Sequence, residues 1–307
     1  MAGSALGSGL GLVVQELRTT TALRRASLFT AWVVGLASTA CGLETEAPEE
    51  HASGSTHAVI SIERSEAADG SSSRGEALAG FLNVPALVDA DSVMSLVGLG
   101  LNLPEVGSCL VGNETPRTGP LTETALVEFL EAGDVILEVA GSQERLAPYA
   151  FPTVTDSISG VLYTSRDRAA DPLPAASRYT VSADGLGVRV AHAAPEAPEG
   201  ITASGLPLAE VSEVRIDGPL DLTWSVGAPG DIVYAELVST RRANRSVCAF
   251  ADELGAGSVP TESFAPGDTG QLLIHRLRTH TFDVADDVAA TGQLRFDFAL
   301  SAGVTFR

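Results

Sequence analysis

The chain has 307 residues and a formal net charge of -20, from 39 acidic and 19 basic residues. Such a surface repels phosphate backbones, which excludes nucleic acid as a partner. Every basic residue is Arg, and a chain without Lys has no P-loop lysine, no Schiff-base lysine and no Ser-Lys dyad.

The first predicted element is a leader. Arg24 and Arg25 precede an uncharged apolar run, Ala26 to Ala40, which is too short to span a bilayer as a helix and ends in small residues before Cys41. This segment resembles a bacterial lipoprotein signal, in which a Cys following one aliphatic and two small residues receives a diacylglycerol and becomes the first residue. The box here is Ser38, Thr39, Ala40, Cys41, with Ser38 standing where the pattern has Leu. The resemblance implies lipidation at Cys41 and a place in the bacterial cell envelope. Because Gly42 rather than Asp follows the Cys, it also implies the outer membrane. Burial at about 0.8 kcal/mol per methylene makes anchoring by several chains effectively permanent. Two other readings of the same residues stay open: a twin-arginine signal, with Ser27 where that motif takes a bulky apolar residue, and a plain secretory signal or uncleaved anchor with Cys41 unmodified. Cleavage after residue 40 removes Arg18, Arg24, Arg25 and Glu16, a net +2, and takes the charge from -20 to -22.

With Cys41 assigned to the lipid, Cys109 and Cys248 are the only remaining pair, and in an oxidising compartment they are expected to be bridged; two buried free thiols are the alternative. Residues 41–75 read as an acidic, Ser-rich tether, since ETEAPEE and SEAADGSSSR carry too little apolar surface to offset ordering entropy. Within it, Thr56 to Arg64 alternates around Val59 and Ile60 as a short strand. His51 and His57 are read as incidental to the tether rather than as metal ligands. The run PALVDADSVMSLVGLG predicts one short helix near 89–98, with Asp89 or Asp91 as its cap and Gly98 at its end. A calcium reading of the two Asp lacks the other ligands of a binding loop.

From Leu121 the period becomes two. Thr124 to Leu130, Val135 to Ala140, Ser157 to Thr164 and Arg178 to Ser182 are predicted strands separated by turn residues such as EAGD and AGSQE. In TALVEFL, Leu126 and Glu128 share one side, Val127 and Phe129 the other. HAAPEAPEG, residues 192–200, marks a domain boundary, with His192 as an exposed linker residue. Beyond it EVRID, LDLTW, DIVYAELVS, SVCAF, QLLIHRLRTHTF and QLRFDFALS predict six strands, and in LDLTW the residues Leu220, Leu222 and Trp224 fall on one face. The run LDLTWSVGAPGDIVYAELV resembles part of fibronectin type III and related immunoglobulin-like domains. That resemblance implies a core around Leu222, Trp224, Tyr234 and Leu237 and no particular activity.

Three constellations carry charge. His275 and His280 are five apart, so a regular strand points them to opposite faces and one metal cannot take both. Arg276, Arg278 and His280 share a face, either as an anion-binding stripe for a carboxylate or sulfated sugar or as partners of Asp and Glu on a neighbouring strand. DVADDV, residues 283–288, with Asp297, is an acidic turn without recognisable calcium-ligand spacing. There is no GxSxG elbow after the leader, no HExxH and no CxxC, so no catalytic residue, metal ligand or cofactor is assigned.

The expected architecture is all-β. Residues 1–40 are signal and 41–75 tether, residues 76–195 are a first β domain with one short helix, and 196–307 are a second, immunoglobulin-like sandwich. The expected role is structural or recognition-based, with the membrane as one partner through the lipid and an envelope protein or glycan as the other. The alternatives are an exported hydrolase or carbohydrate-active protein with His192 or His280 beside a Ser, and a calcium- or ligand-binding module.

Overall fold

Period-two alternation runs through most of the chain, and the chain folds accordingly as strands. The computed structural model describes residues 55–85, 89–96, 98–112, 127–150, 158–165, 173–241, 244–284 and 290–307. The leader, Cys41, His51 and Asp286 and Asp287 of the acidic turn lie outside the described residues.

Strands β1 (Ser55–Ala67) and β2 (Ser73–Val84) open the fold as an antiparallel hairpin. The tether expected over 41–75 therefore does not extend through Ser55–Arg74. Ala58, Ile60 and Ile62 bury one side of β1 and Val59 the other, so the strand is covered on both faces. The Ser-rich stretch holds the hairpin's turn, where Gly70 takes φ 71° and Asp69 accepts the Ser71 N–H at 2.9 Å. Helix α1 (Ala90–Leu96) follows, and of the two candidate caps it is Asp89 that accepts the Ser92 N–H, at 3.0 Å. Hydrogen bonds from the Ser92 hydroxyl and N–H hold the Asp89 carboxyl below its ordinary range. An extended strap, 98–108, then leads to β3 (Cys109–Val111).

The first half continues with β4 (Val127–Phe129), β5 (Val135–Val139), β6 (Ser142–Arg145), β7 (Ala147–Ala150), β8 (Ile158–Thr164), β9 (Arg178–Ala183) and β10 (Val188–Ala193). In β4 Val127 and Phe129 are buried and Glu128 is exposed, as the alternation requires. The second half contains β11 (Thr202–Ala203), β12 (Leu206–Pro207), β13 (Glu213–Val214), β14 (Leu220–Thr223), β15 (Ile232–Ser239), β16 (Arg245–Ala251), β17 (Ala256–Val259), β18 (Thr269–Asp283) and β19 (Thr291–Phe306). Each of the six runs expected to be a strand in this half contains one, EVRID only at Glu213–Val214.

The strands form three sheets. The main sheet has the order β3-β16-β15-β18-β19-β1-β2-β4-β8-β7, with β13 added at the end of β19. Two four-stranded sheets, β10-β9-β5-β6 and β12-β11-β14-β17, complete the fold. Both pack on one face of the main sheet, one after the other along its longest strand. On β19 the even residues Leu294, Phe296 and Phe298 join Leu137, Tyr179 and Val181 in a first core, while Val304 and Phe306 join Leu222, Trp224 and Val259 in a second. Sixteen residues of extended chain span about 50 Å, enough to pass beneath both small sheets. The fold is thus all-β and sandwich-like, with one α-helix among the described residues.

The boundary expected at 195/196 separates the two small sheets from each other but does not divide the main sheet, and Glu50–Arg307 clusters as one compact unit. The cause is the pairing of the last long strand with the first. Strand β1 runs parallel to β19 from His57 opposite Thr291 to Ala67 opposite Ser301, a pairing that no local pattern announces.

The other face of the main sheet is covered differently. Helix α1 packs Val93 and Met94 over Val59, Leu82 and Phe129. The strap lays Leu101 and Leu103 over Tyr234, Val247, Ala249 and Leu277. The strap's far end is fixed by the Cys109–Cys248 disulfide, formed between directly opposed residues of β3 and β16 whose Cα atoms are 4.1 Å apart. Tyr234 lies on this face, away from Trp224, so the shared Trp-Tyr core implied by the immunoglobulin resemblance is not formed. Trp224 packs on Phe250 instead, at 5.7 Å between ring centroids. The physical reason is parity: Val233, Ala235 and Leu237 of β15 point to the second core, which leaves Tyr234 on the opposite side.

Candidate functional site

Strand β18 places the charged residues singled out in the sequence. Its even residues face the two small sheets, and Leu272 and Ile274 belong to the second core. Arg276 and Arg278 follow them and stand at the seam between the cores.

Arg276 is 1% exposed and is surrounded by acceptors. It bonds the Asp252 carboxylate at 3.2 Å, the Ala197 carbonyl at 3.2 Å and the Ser225 carbonyl. Asp252 is itself fixed, because its second oxygen accepts the Gly227 N–H at 2.7 Å and its carbonyl accepts the Trp224 indole N–H at 2.9 Å. Gly227 is required here by close approach: an added Cβ would stand 2.6 Å from the Asp252 carboxylate and 3.0 Å from the Arg276 guanidinium. Arg278 grips Asp231 with two bonds of 2.7 Å and reaches the Ala193 and Ala194 carbonyls at 3.3 Å. Fork-to-carboxylate geometry of this kind is the strong form of a charge-assisted hydrogen bond.

Of the two readings of this stripe, the structure therefore forms internal pairing rather than an open anion site. The acids come from the loops before β15 and after β16, not from an adjacent strand. The Arg pair also clamps the carbonyls of 193–197, so the segment read as a domain linker is held on the seam. His280, the third member, stacks its ring on His192 at 4.1 Å and 13°. His192 is thus a packed partner and not an exposed linker residue. Its burial, the neighbouring His280 and Arg178 hold its pKa below the ordinary imidazole range.

The odd residues of β18 face the other way, as the parity of His275 and His280 requires. His275 stacks on Tyr234 at 4.1 Å and 15°, with its Nδ1 at 2.9 Å from one Asp297 oxygen. The Tyr234 hydroxyl donates to the other oxygen of Asp297. Glu63 of β1 lies opposite Asp297 in register, accepts from the Ser61 hydroxyl at 3.0 Å, and is itself opposite Glu76 of β2. Together with Ser65 and Arg74, His275, Asp297, Glu63 and Glu76 line a cleft of about 210 Å³. Burial, followed by the charge of Asp297, raises the Glu63 carboxyl above its ordinary range. Burial and then Asp297 push the Tyr234 phenol well up. For His275 burial acts to lower the pKa, but the Asp297 charge and hydrogen bond outweigh it and the imidazole is raised.

The arrangement is a chain of proton-bearing groups. The Nε2 atom of His275 is buried with no hydrogen-bond partner, so no hydroxyl is paired with it for attack. His192 and His280 stack on each other. Among the described residues no group of three or more His, Cys, Asp or Glu side chains is placed to hold a metal ion. Asp297 is six residues along β19 from Thr291, which pairs with Asp283, so about 20 Å of strand separates it from the acidic turn. His57 accepts or donates a hydrogen bond with the Ser55 hydroxyl at 2.7 Å inside β1.

The His275–Asp297–Tyr234 cluster escaped sequence reasoning. Its one visible signal is that the polar residues of β18 and β19 continue the strand alternation on the face opposite Phe296 and Phe298. No protein-family model matches this chain, and no curated protein sequence does.

Proposed function

We propose that this chain is a bacterial envelope protein, lipid-anchored through Cys41, whose β unit has a structural or recognition role. The observation that carries the role is the seam: Arg276 and Arg278, the residues best suited by sequence to hold an anionic ligand, serve to join two β cores. The bridge between Cys109 and Cys248 supports an oxidising compartment and hence export, in keeping with the leader. The anchor would hold the protein at a membrane, with an envelope protein or a glycan as its partner, and Gly42 favours the outer membrane.

Detergent phase partition with intact mass, on protein from a bacterial host, tests the reading by comparing the native chain with Cys41→Ser. An acyl mass and a detergent-phase location that both depend on Cys41 are expected. A lipid-free product in both forms would contradict the anchor and favour soluble export.

A further inference from the structure

The face of the main sheet opposite the seam carries titratable side chains on five neighbouring strands. Tyr234 and Glu236 come from β15, His275 from β18, Asp297 from β19, Glu63 from β1, and Glu76 and Arg74 from β2. The outer members have their own partners: Glu236 pairs with Arg245 of β16, Glu76 with Arg74 at 3.2 Å, and Arg64, which also lines the cleft, with Glu66 at 2.7 Å. Arg295, also on β19, is occupied by Gln293 and by the Leu99 carbonyl at 2.7 Å. The strap lays Leu101 and Leu103 against Tyr234. What remains at the centre is two carboxylates, Asp297 and Glu63, facing one imidazole. With both acids ionised and His275 charged, the group still carries one uncompensated negative charge. It is partly buried, where such a charge is costly.

We propose that His275, Asp297, Glu63 and Tyr234 form a proton-holding clamp across β15, β18, β19 and β1, tight in mildly acidic medium and loosened as the medium becomes alkaline. The phenol of Tyr234 keeps its proton and donates to Asp297, so it stays neutral while fixing one carboxylate oxygen. His275 takes the other oxygen through Nδ1–H. The charges of Asp297, Glu236 and Glu63 favour the second proton of the ring, against its burial and the lack of an acceptor at Nε2. Glu63 is the second proton store, because ionising it beside Asp297 sets two like charges on paired strands. Both groups bind protons more tightly folded than unfolded. Their stabilisation is complete below the ordinary Glu and His values and is lost as pH rises through the folded ones. His192 acts in the opposite sense, since its lowered pKa costs stability as pH falls through the His range.

The test follows the His275 ring by NMR in the full chain, together with thermal melts of the native protein, His275→Gln and Glu63→Gln between about pH 5 and pH 8. The His275 titration midpoint is expected above that of a free imidazole and is expected to fall in Glu63→Gln. Because His192 contributes to every melt, the readout is the difference between native and variant. On raising the pH, the native melting temperature should drop by about 2–4 °C more than that of either variant. If His275→Gln does not fold, Glu63→Gln decides, since Glu63, though in contact with the buried group, is more open to solvent than His275. A midpoint at or below the free value, or the same pH response in native and variant chains, overturns the clamp.

Discussion

His275 and Arg276 are neighbours on one strand, and the two faces of the main sheet make opposite use of them. Toward the small sheets, Arg276 is enclosed by Asp252 and main-chain carbonyls, which bond both of its terminal nitrogens. Toward the cleft, His275 shares Asp297 with a phenol and stands near a second acid, so its charge depends on the medium. A guanidinium stays charged across the accessible pH range, whereas an imidazole titrates within it. The seam is therefore a fixed joint, and the cleft face an adjustable one.

The largest expected effect comes from breaking the fixed joint. Arg276→Leu leaves Asp252 buried without its cation, and loss of one partner of such a pair costs about 3–5 kcal/mol. Denaturant unfolding reads this loss, and it should be the same at pH values on either side of neutrality, in contrast to the His275 and Glu63 variants. A smaller effect follows when Cys109–Cys248, which packs in the second core, is reduced, because this releases the strap and opens a closure of 139 residues. The expected loss is about 2–5 kcal/mol, and a melt unchanged after verified reduction would remove the bridge from the account. Smallest is Gly227→Ala, which crowds the Asp252 carboxylate and should cost about 1–3 kcal/mol by overpacking. A neutral Gly227→Ala would mean that the loop before β15 yields more readily than its hydrogen bonds imply.

The sequence showed more of the strands than of their arrangement. LDLTW and QLRFDFALS declare their buried faces because alternation is a local property, and Leu222, Trp224, Phe296 and Phe298 are buried as the pattern requires. The Asp89 cap is legible for the same reason, lying three residues before its partner Ser92. The place of β1 is not legible. Its nine alternating residues sit beside a Ser-rich turn and resemble a strand at the margin of a tether, and only pairing with β19 makes it central. The candidate site divides in the same way. The shared face of Arg276, Arg278 and His280 follows from their spacing, but nothing local says that Asp252 and Asp231, 24 and 47 residues away, will close on the two Arg. Tyr234 shows the limit of a family likeness, since one step of parity sends it to the face opposite the one implied.

At the centre of the account, two β cores share the long strands β18 and β19 and are locked by the Arg seam into one folding unit. Differential scanning calorimetry of the intact chain tests this most directly. A single transition is expected, with calorimetric and van't Hoff enthalpies in agreement. Two separate transitions, with residues 196–307 melting as an independent body, would contradict it and restore the boundary read from the Pro- and Glu-rich segment after His192.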